Sequence, residues 1–252
     1  MKVLLRISFL GKAYCGYQVQ PNGVTVQQKL NEAARSLFGI DCDIVGCSRT
    51  DSGVHANEFC VAVTQKGESF LNTSIPIEKI PMAMSFWLPS DISVLSAQWV
   101  EDSFHPRYDV KYKEYIYQIW NSSARNPFLA DRSWHCPKKI DDAGFEAMQK
   151  AAEKLKGKHD FSAFMAADSK IKDTVRTVFE ANVERSGDLI VFRVSADGFL
   201  YNMVRIFVGT LLDVAYKKIS YEDIEKIIDS KNRKNAGSTA PAEGLFLNRV
   251  VY

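Results

Sequence analysis

Gly46-Cys47-Ser48-Arg49-Thr50-Asp51-Ser52-Gly53-Val54-His55-Ala56 lies between two apolar stretches, and its reading decides how the chain is organised. On its C-terminal side Phe59, Val61 and Val63 alternate with other residues, the period of a strand. The spacing predicts strands over residues 41–47 and 57–65, with the motif as a short connection between them. Gly53 argues against a helix there. Loops held by a rigid scaffold commonly carry chemistry, and this one sets the carboxylate of Asp51 between a permanent cation, Arg49, and a glycine. By itself, an aspartate in such a turn is expected to bond its own backbone. Asp51 and His55 are four residues apart but need not share a face across Gly53, so no metal site is expected from the pair.

Working outward, residues 2–9 predict a strand, and Thr25-Val26-Gln27-Gln28 reads as a capping box opening a helix to Phe38. Val26, Leu30, Ala33, Ala34 and Leu37 give that helix one apolar face. A helix over 76–86 and a strand over 92–100 follow. An aromatic strand over 108–120 opens the second half, then a helix over 141–156 with Phe145, Met148, Ala152 and Leu155 on one face. Strands over 174–185 and 189–196, joined by the turn signal Ser186-Gly187-Asp188, precede a strongly apolar helix over 199–216. A short polar helix and a last strand, 245–252, close the chain. Each half reads as strands with helices packed on them, an α+β pattern without visible repeat. The expected division is 1–103, carrying the loop 46–56, and 104–252.

Composition restricts the function classes. The 252 residues are 46% hydrophobic and 25% charged, as in a folded globular protein. No stretch reaches transmembrane length, and the amino terminus lacks a signal-peptide pattern, so a cytoplasmic location is expected. Five scattered cysteines without a C-x-x-C pair fit reduced thiols better than disulfides or zinc. A net charge of +2 gives little general attraction for nucleic acid. A phosphate-binding surface would have to come from local clusters: Lys154, Lys156 and Lys158; Lys170, Lys172 and Arg176; Lys217 and Lys218; Lys231, Arg233 and Lys234. Each cluster alone is expected to be a solvated helix end or loop.

The segment 46–56 resembles the active-site motif of the TruA family of tRNA pseudouridine synthases. Its companions resemble further family elements in the same order along nearly the whole chain: Tyr14-Cys15-Gly16-Tyr17-Gln18-Val19-Gln20, Phe104-His105-Pro106-Arg107, Lys113-Glu114-Tyr115-Ile116-Tyr117, His159-Asp160-Phe161-Ser162-Ala163-Phe164, Thr174-Val175-Arg176-Thr177, Asn202-Met203-Val204-Arg205 with Gly209, and Ala242-Glu243-Gly244-Leu245. Leu10 and Tyr17 depart from the residues common in that family.

The resemblance implies two similar α/β subdomains whose mostly antiparallel sheets join around a central cleft, with helices on the outer face. It implies Asp51 as nucleophile, Arg205 as a cation beside it and Tyr115 at the target uracil. Arg49, Leu245, His55 and Arg107 are implied as substrate-binding residues. It further implies a tRNA substrate modified at uridines 38, 39 and 40 of the anticodon stem-loop, a homodimer, and no cofactor or metal. Two other readings stay open on the residues alone: an RNA-binding protein without catalysis, and a hydrolase using Asp51 with His55 or Asp91.

Overall fold

The computed structural model describes residues 1–167, 169 and 171–252; Lys170, from one of the basic clusters, lies outside the described residues. In chain order the elements are β1 (Lys2–Phe9), α1 (Val26–Phe38), β2 (Cys42–Gly46), β3 (His55–Gln65), α2 (Ile80–Phe86), β4 (Ile92–Val100), β5 (Tyr112–Trp120), β6 (Trp134–His135), α3 (Asp142–Glu153), β7 (Gly157–Asp160), β8 (Val175–Ser186), β9 (Leu189–Ala196), α4 (Met203–Ala215), α5 (Asp223–Ser230) and β10 (Leu245–Val251). The chain divides into two compact units, Met1–Lys111 with Phe246–Tyr252, and Tyr112–Leu245.

In the first unit the strand order is β4-β1-β3-β10, with β2 also on β3. All pairings there are antiparallel except the parallel register of Phe246 and Leu247 on His55 and Ala56. Strand β3 is central, so Phe59, Cys60, Val61 and Val63 are fully buried. Each large side chain so buried contributes about 1.5–3 kcal/mol. Helix α1 begins where the sequence places it because the Thr25 hydroxyl accepts the amide N–H of Gln28 at 3.2 Å. The reciprocal arm of the capping box is replaced by a hydrogen bond from Gln28 to Glu32 within the helix. Val26, Leu30, Ala33 and Ala34 are its buried face, laid against β2 and α2.

The second unit orders its strands β5-β9-β8-β7, all antiparallel, with β6 pairing β5 in parallel. The expected mixed α and β class with mostly antiparallel pairing is what both units show. Helix α3 is capped by Asp141, whose Oδ1 accepts the Gly144 N–H at 2.7 Å, and packs on α4 and β8. Helix α4 is buried nearly all round, as its unbroken apolar sequence requires.

Candidate active site

The segment 46–56 is a strand–loop–strand connection. Gly46 ends β2, His55 and Ala56 open β3, and the chain reverses in a turn where the Val54 N–H donates to the Asp51 carbonyl at 3.2 Å. Gly53 sits at φ 81°, a left-handed conformation that side-chain-bearing residues rarely adopt, at the third position of that turn. Asp51 is half-buried at its start.

Residues 11–17 grip this loop from outside. The Tyr17 N–H donates to Thr50 O at 3.1 Å, the Ser52 hydroxyl to Tyr14 O at 3.1 Å, and the Gly11 N–H to His55 Nδ1 at 2.9 Å. A Cβ at Gly11 would stand 2.0 Å from the Val54 carbonyl oxygen, so only glycine allows that approach. The gripping segment is itself tied down at Asp91. Its backbone carbonyl accepts from the Leu10 N–H at 2.9 Å, and its carboxylate from the Tyr14 hydroxyl at 2.5 Å. Burial, and then the adjoining Asp91 carboxylate, hold the Tyr14 phenol well above the ordinary tyrosine range.

His55 is 1% exposed, stacked on Phe246 with centroids 4.6 Å apart. Because Nδ1 accepts from Gly11, the neutral ring carries its proton on Nε2. Tyr17, one of the two departures, is buried against Phe59 at 4.4 Å, and burial raises its phenol strongly. Leu10, the other, is exposed and uses its backbone N–H on Asp91.

Arg49 and Arg107 are exposed and line one open groove of about 230 Å³, together with Gln18, Ser48, His105 and Tyr108. The structure thus brings together two of the expected substrate-binding residues from distant parts of the first unit.

The second unit carries Tyr115, Arg205 and Leu245. Tyr115 is 7% exposed on β5 and meets Phe199 edge-on at 4.9 Å. Tyr117, two residues along, is fully buried, and its hydroxyl donates to Pro241 O at 2.7 Å. Leu245 is buried at the start of β10. Arg205 lies in the first turn of α4. Its Nε donates to Ala240 O at 2.7 Å and its Nη1 to Asn202 Oδ1 at 2.8 Å. Asn202 holds φ 59° to cap the helix, a conformation asparagine tolerates better than most. Both acceptors fix the direction of the guanidinium. The segment carrying Ala240 lies directly on α4, where a Cβ at Gly209 would stand 1.8 Å from Ser238 O.

Five of the clustered lysines are engaged with acids. Lys154 pairs with Glu225, Lys156 with Glu153, Lys217 with Asp141, Lys218 with Asp213 and Lys231 with Asp160, at 2.7–3.1 Å. Sequence reasoning missed the tie through Tyr14 and Asp91, the hold of His55 on Gly11, and the role of Asn202. The closely placed Gly11 and Gly16 were the one sequence signal of a tight backbone approach. Among the described residues no group of three His, Cys, Asp or Glu side chains is placed to hold a metal, and no helix is long and apolar enough to cross a membrane.

Residues 151–252 match the family described as tRNA pseudouridine synthase. Over 250 residues the chain is 43% identical to tRNA pseudouridine synthase A of Thermoanaerobacter sp. (strain X514), covering 99% of each chain. The same identity and coverage relate it to tRNA pseudouridine synthase A of Acetivibrio thermocellus. The protein of that name in Bacillus licheniformis is 44% identical over 254 residues, covering 100% of this chain and 99% of the relative.

Proposed function

The chain belongs to the tRNA pseudouridine synthase A family, and from that premise we propose that it isomerises uridine to pseudouridine in tRNA, with Asp51 as its nucleophile. The observation that carries this reading is the loop itself. A half-buried carboxylate stands in a turn whose neighbours Thr50, Ser52 and His55 are each held by the segment 11–17. Such rigidity suits a group that must meet a reacting atom within a fraction of an ångström.

The reaction breaks the bond from uracil N1 to C1′ of the ribose, rotates the base and joins C5 to C1′. The C5 proton is lost and N1 gains one, so oxidation state is conserved and no cofactor is required. An ionised Asp51 suits either attack on the ribose carbon or removal of a sugar proton. In this reading Arg205, pinned by Ala240 and Asn202, brings the positive charge that favours the ionised carboxylate. Tyr115 meets the uracil, by stacking or in loss of the C5 proton, and Leu245 walls the base. His55 acts from behind, holding the loop at Gly11. Arg49 and Arg107 take phosphates, helping offset the few kcal/mol that extruding a stacked base costs.

The proposal extends to the anticodon stem-loop, uridines 38, 39 and 40, as the target, to a homodimer whose two chains hold the RNA, and to the cytoplasm as the place of action. All three rest on the family resemblance. The test is isomerisation of tRNA in vitro by the wild type and by Asp51→Asn, with pseudouridine mapped in tRNA from cells with and without the gene. Loss of product in the variant with tRNA binding retained supports the assignment; full activity in the variant refutes it. Activity in the presence of a chelator separates this chemistry from metal-assisted hydrolysis.

A further inference from the structure

The groove beside the Asp51 loop contains more than two arginines. Tyr108 is 75% exposed, yet it is held in place. The turn that carries it is closed by the N–H groups of Tyr108 and Asp109 on the His105 carbonyl, at 3.2 and 3.1 Å. The His105 ring is fixed as well, because its Nδ1 accepts the N–H of Arg107 at 3.1 Å and of Tyr108 at 3.3 Å. The Asp109 carboxylate completes the turn by accepting the His105 N–H at 2.8 Å. The two rings stack, with centroids 4.2 Å apart and planes 29° from parallel, and the Arg107 guanidinium lies 5.9 Å from the Tyr108 centroid. The groove is otherwise lined by neutral side chains and Arg49, with no carboxylate among the described residues of its wall.

An exposed aromatic ring backed by a second ring, beside two cations, has the chemistry of a single-stranded nucleotide site: the ring takes a base, the arginines its phosphates. An ordered ring also loses little conformational freedom on binding. Resting on the reading of this protein as an RNA-modifying enzyme, we propose that Tyr108, supported by His105, is a stacking platform for an unpaired nucleotide next to the target uridine, with Arg107 and Arg49 on the flanking phosphates. Extruding the uridine leaves its neighbour without a stacking partner, and the platform replaces that partner two residues from Asp51, at Arg49.

Full-length protein and transcribed tRNA test this, with 2-aminopurine placed next to the target uridine in a parallel stem-loop. Tyr108→Ala is expected to raise the Kd for tRNA about tenfold and to abolish the quenching of 2-aminopurine on binding. Tyr108→Phe, which keeps the ring, restores both. Arg107→Ala is expected to lower the slope of log Kd against log salt by about 0.7–0.9, one phosphate, whereas Tyr108→Ala leaves that slope unchanged. A Tyr108→Ala protein that binds within twofold of wild type, or quenches equally, overturns the platform while leaving the proposed isomerase intact. Wild-type protein that neither binds nor isomerises tRNA overturns both, and the two failures are told apart by the wild-type assay alone.

Discussion

The Tyr14 hydroxyl donates to the Asp91 carboxylate at 2.5 Å, and this contact anchors the segment that grips the Asp51 loop. The three hydrogen bonds on Thr50, Ser52 and His55 depend on where residues 11–17 lie, and Asp91 fixes that segment near its middle. Tyr14→Phe removes the anchor and leaves the ring. A hydrogen bond to a charged group contributes about 1.5–3 kcal/mol, and because Asp91 is only half-buried the lower end of that range is expected in urea denaturation. Loosening the loop is expected to lower kcat about tenfold with tRNA affinity little changed. Wild-type kcat in the folded variant would remove Asp91 and Tyr14 from the positioning of the loop.

Alkaline stability follows from the same phenol and four others. Burial raises Tyr14, Tyr17, Tyr117 and Tyr252 well above the ordinary tyrosine value of 10.0, and pushes Tyr216 up to about 12. Between the unfolded and folded values the folded chain holds more protons than the unfolded one, so stability falls as pH rises. The contribution is complete below about pH 10 and is lost progressively above it. Urea midpoints measured from pH 8 to pH 11 are expected to hold steady and then drop. A midpoint flat across that range contradicts the burial of these phenols.

Asp160 governs the acid side. Its carboxylate is lowered to about 2, first by the Thr174 hydroxyl at 2.6 Å, then by the Ser162 N–H and by Lys231. A depressed carboxylate stabilises the fold above its unfolded value of 3.8 and loses that effect as pH falls toward 2. Asp160→Asn is expected to be less stable than wild type at pH 6 and to approach it as pH falls through about 2, measured by thermal unfolding. Parallel curves for the two proteins would show that Asp160 contributes nothing through its charge.

Where local chemistry decides structure, these elements were legible in the sequence. Thr25 and Asp141 mark helix starts because each satisfies an orphan amide with its own side chain. The strand over 108–120 begins instead at Tyr112, because the backbone of Tyr108 bonds to His105 and the residue belongs to a turn. The helix expected from 199 starts at Met203, because Asn202 takes a left-handed conformation that apolar periodicity does not encode. Strands β6 and β7 are too short to show a period. At the site, residue type marked Asp51 and Arg49, but the grip of Gly11 on His55 and the shared groove of Arg49 and Arg107 are products of long-range packing. The basic clusters drew attention by density, yet density in sequence does not report neighbours in space, and acids answer five of their lysines.

Gly209 tests the support behind Arg205. An alanine there would bring its Cβ to 1.8 Å from the Ser238 carbonyl oxygen, and backbone cannot step aside as a flexible side chain can. The segment 237–240 must therefore lift from α4. Ala240, at its end, accepts from Arg205 Nε at 2.7 Å and donates its own N–H to the Arg205 carbonyl at 3.1 Å, so the displacement reaches the guanidinium directly. Overpacking of this kind costs about 1–3 kcal/mol. Gly209→Ala is accordingly expected to lower both the urea midpoint and kcat, the latter about tenfold or more, with the Kd for tRNA within about twofold of wild type. Asp141→Ala serves as the comparison: it removes the cap of α3 at a cost of about 1 kcal/mol, at a carboxylate bonded to Gly144 and Lys217. If the two variants lose stability alike but only Gly209→Ala loses kcat, the effect belongs to the position of Arg205. Equal kcat in both would mean that the clamp by Ala240 serves the fold alone.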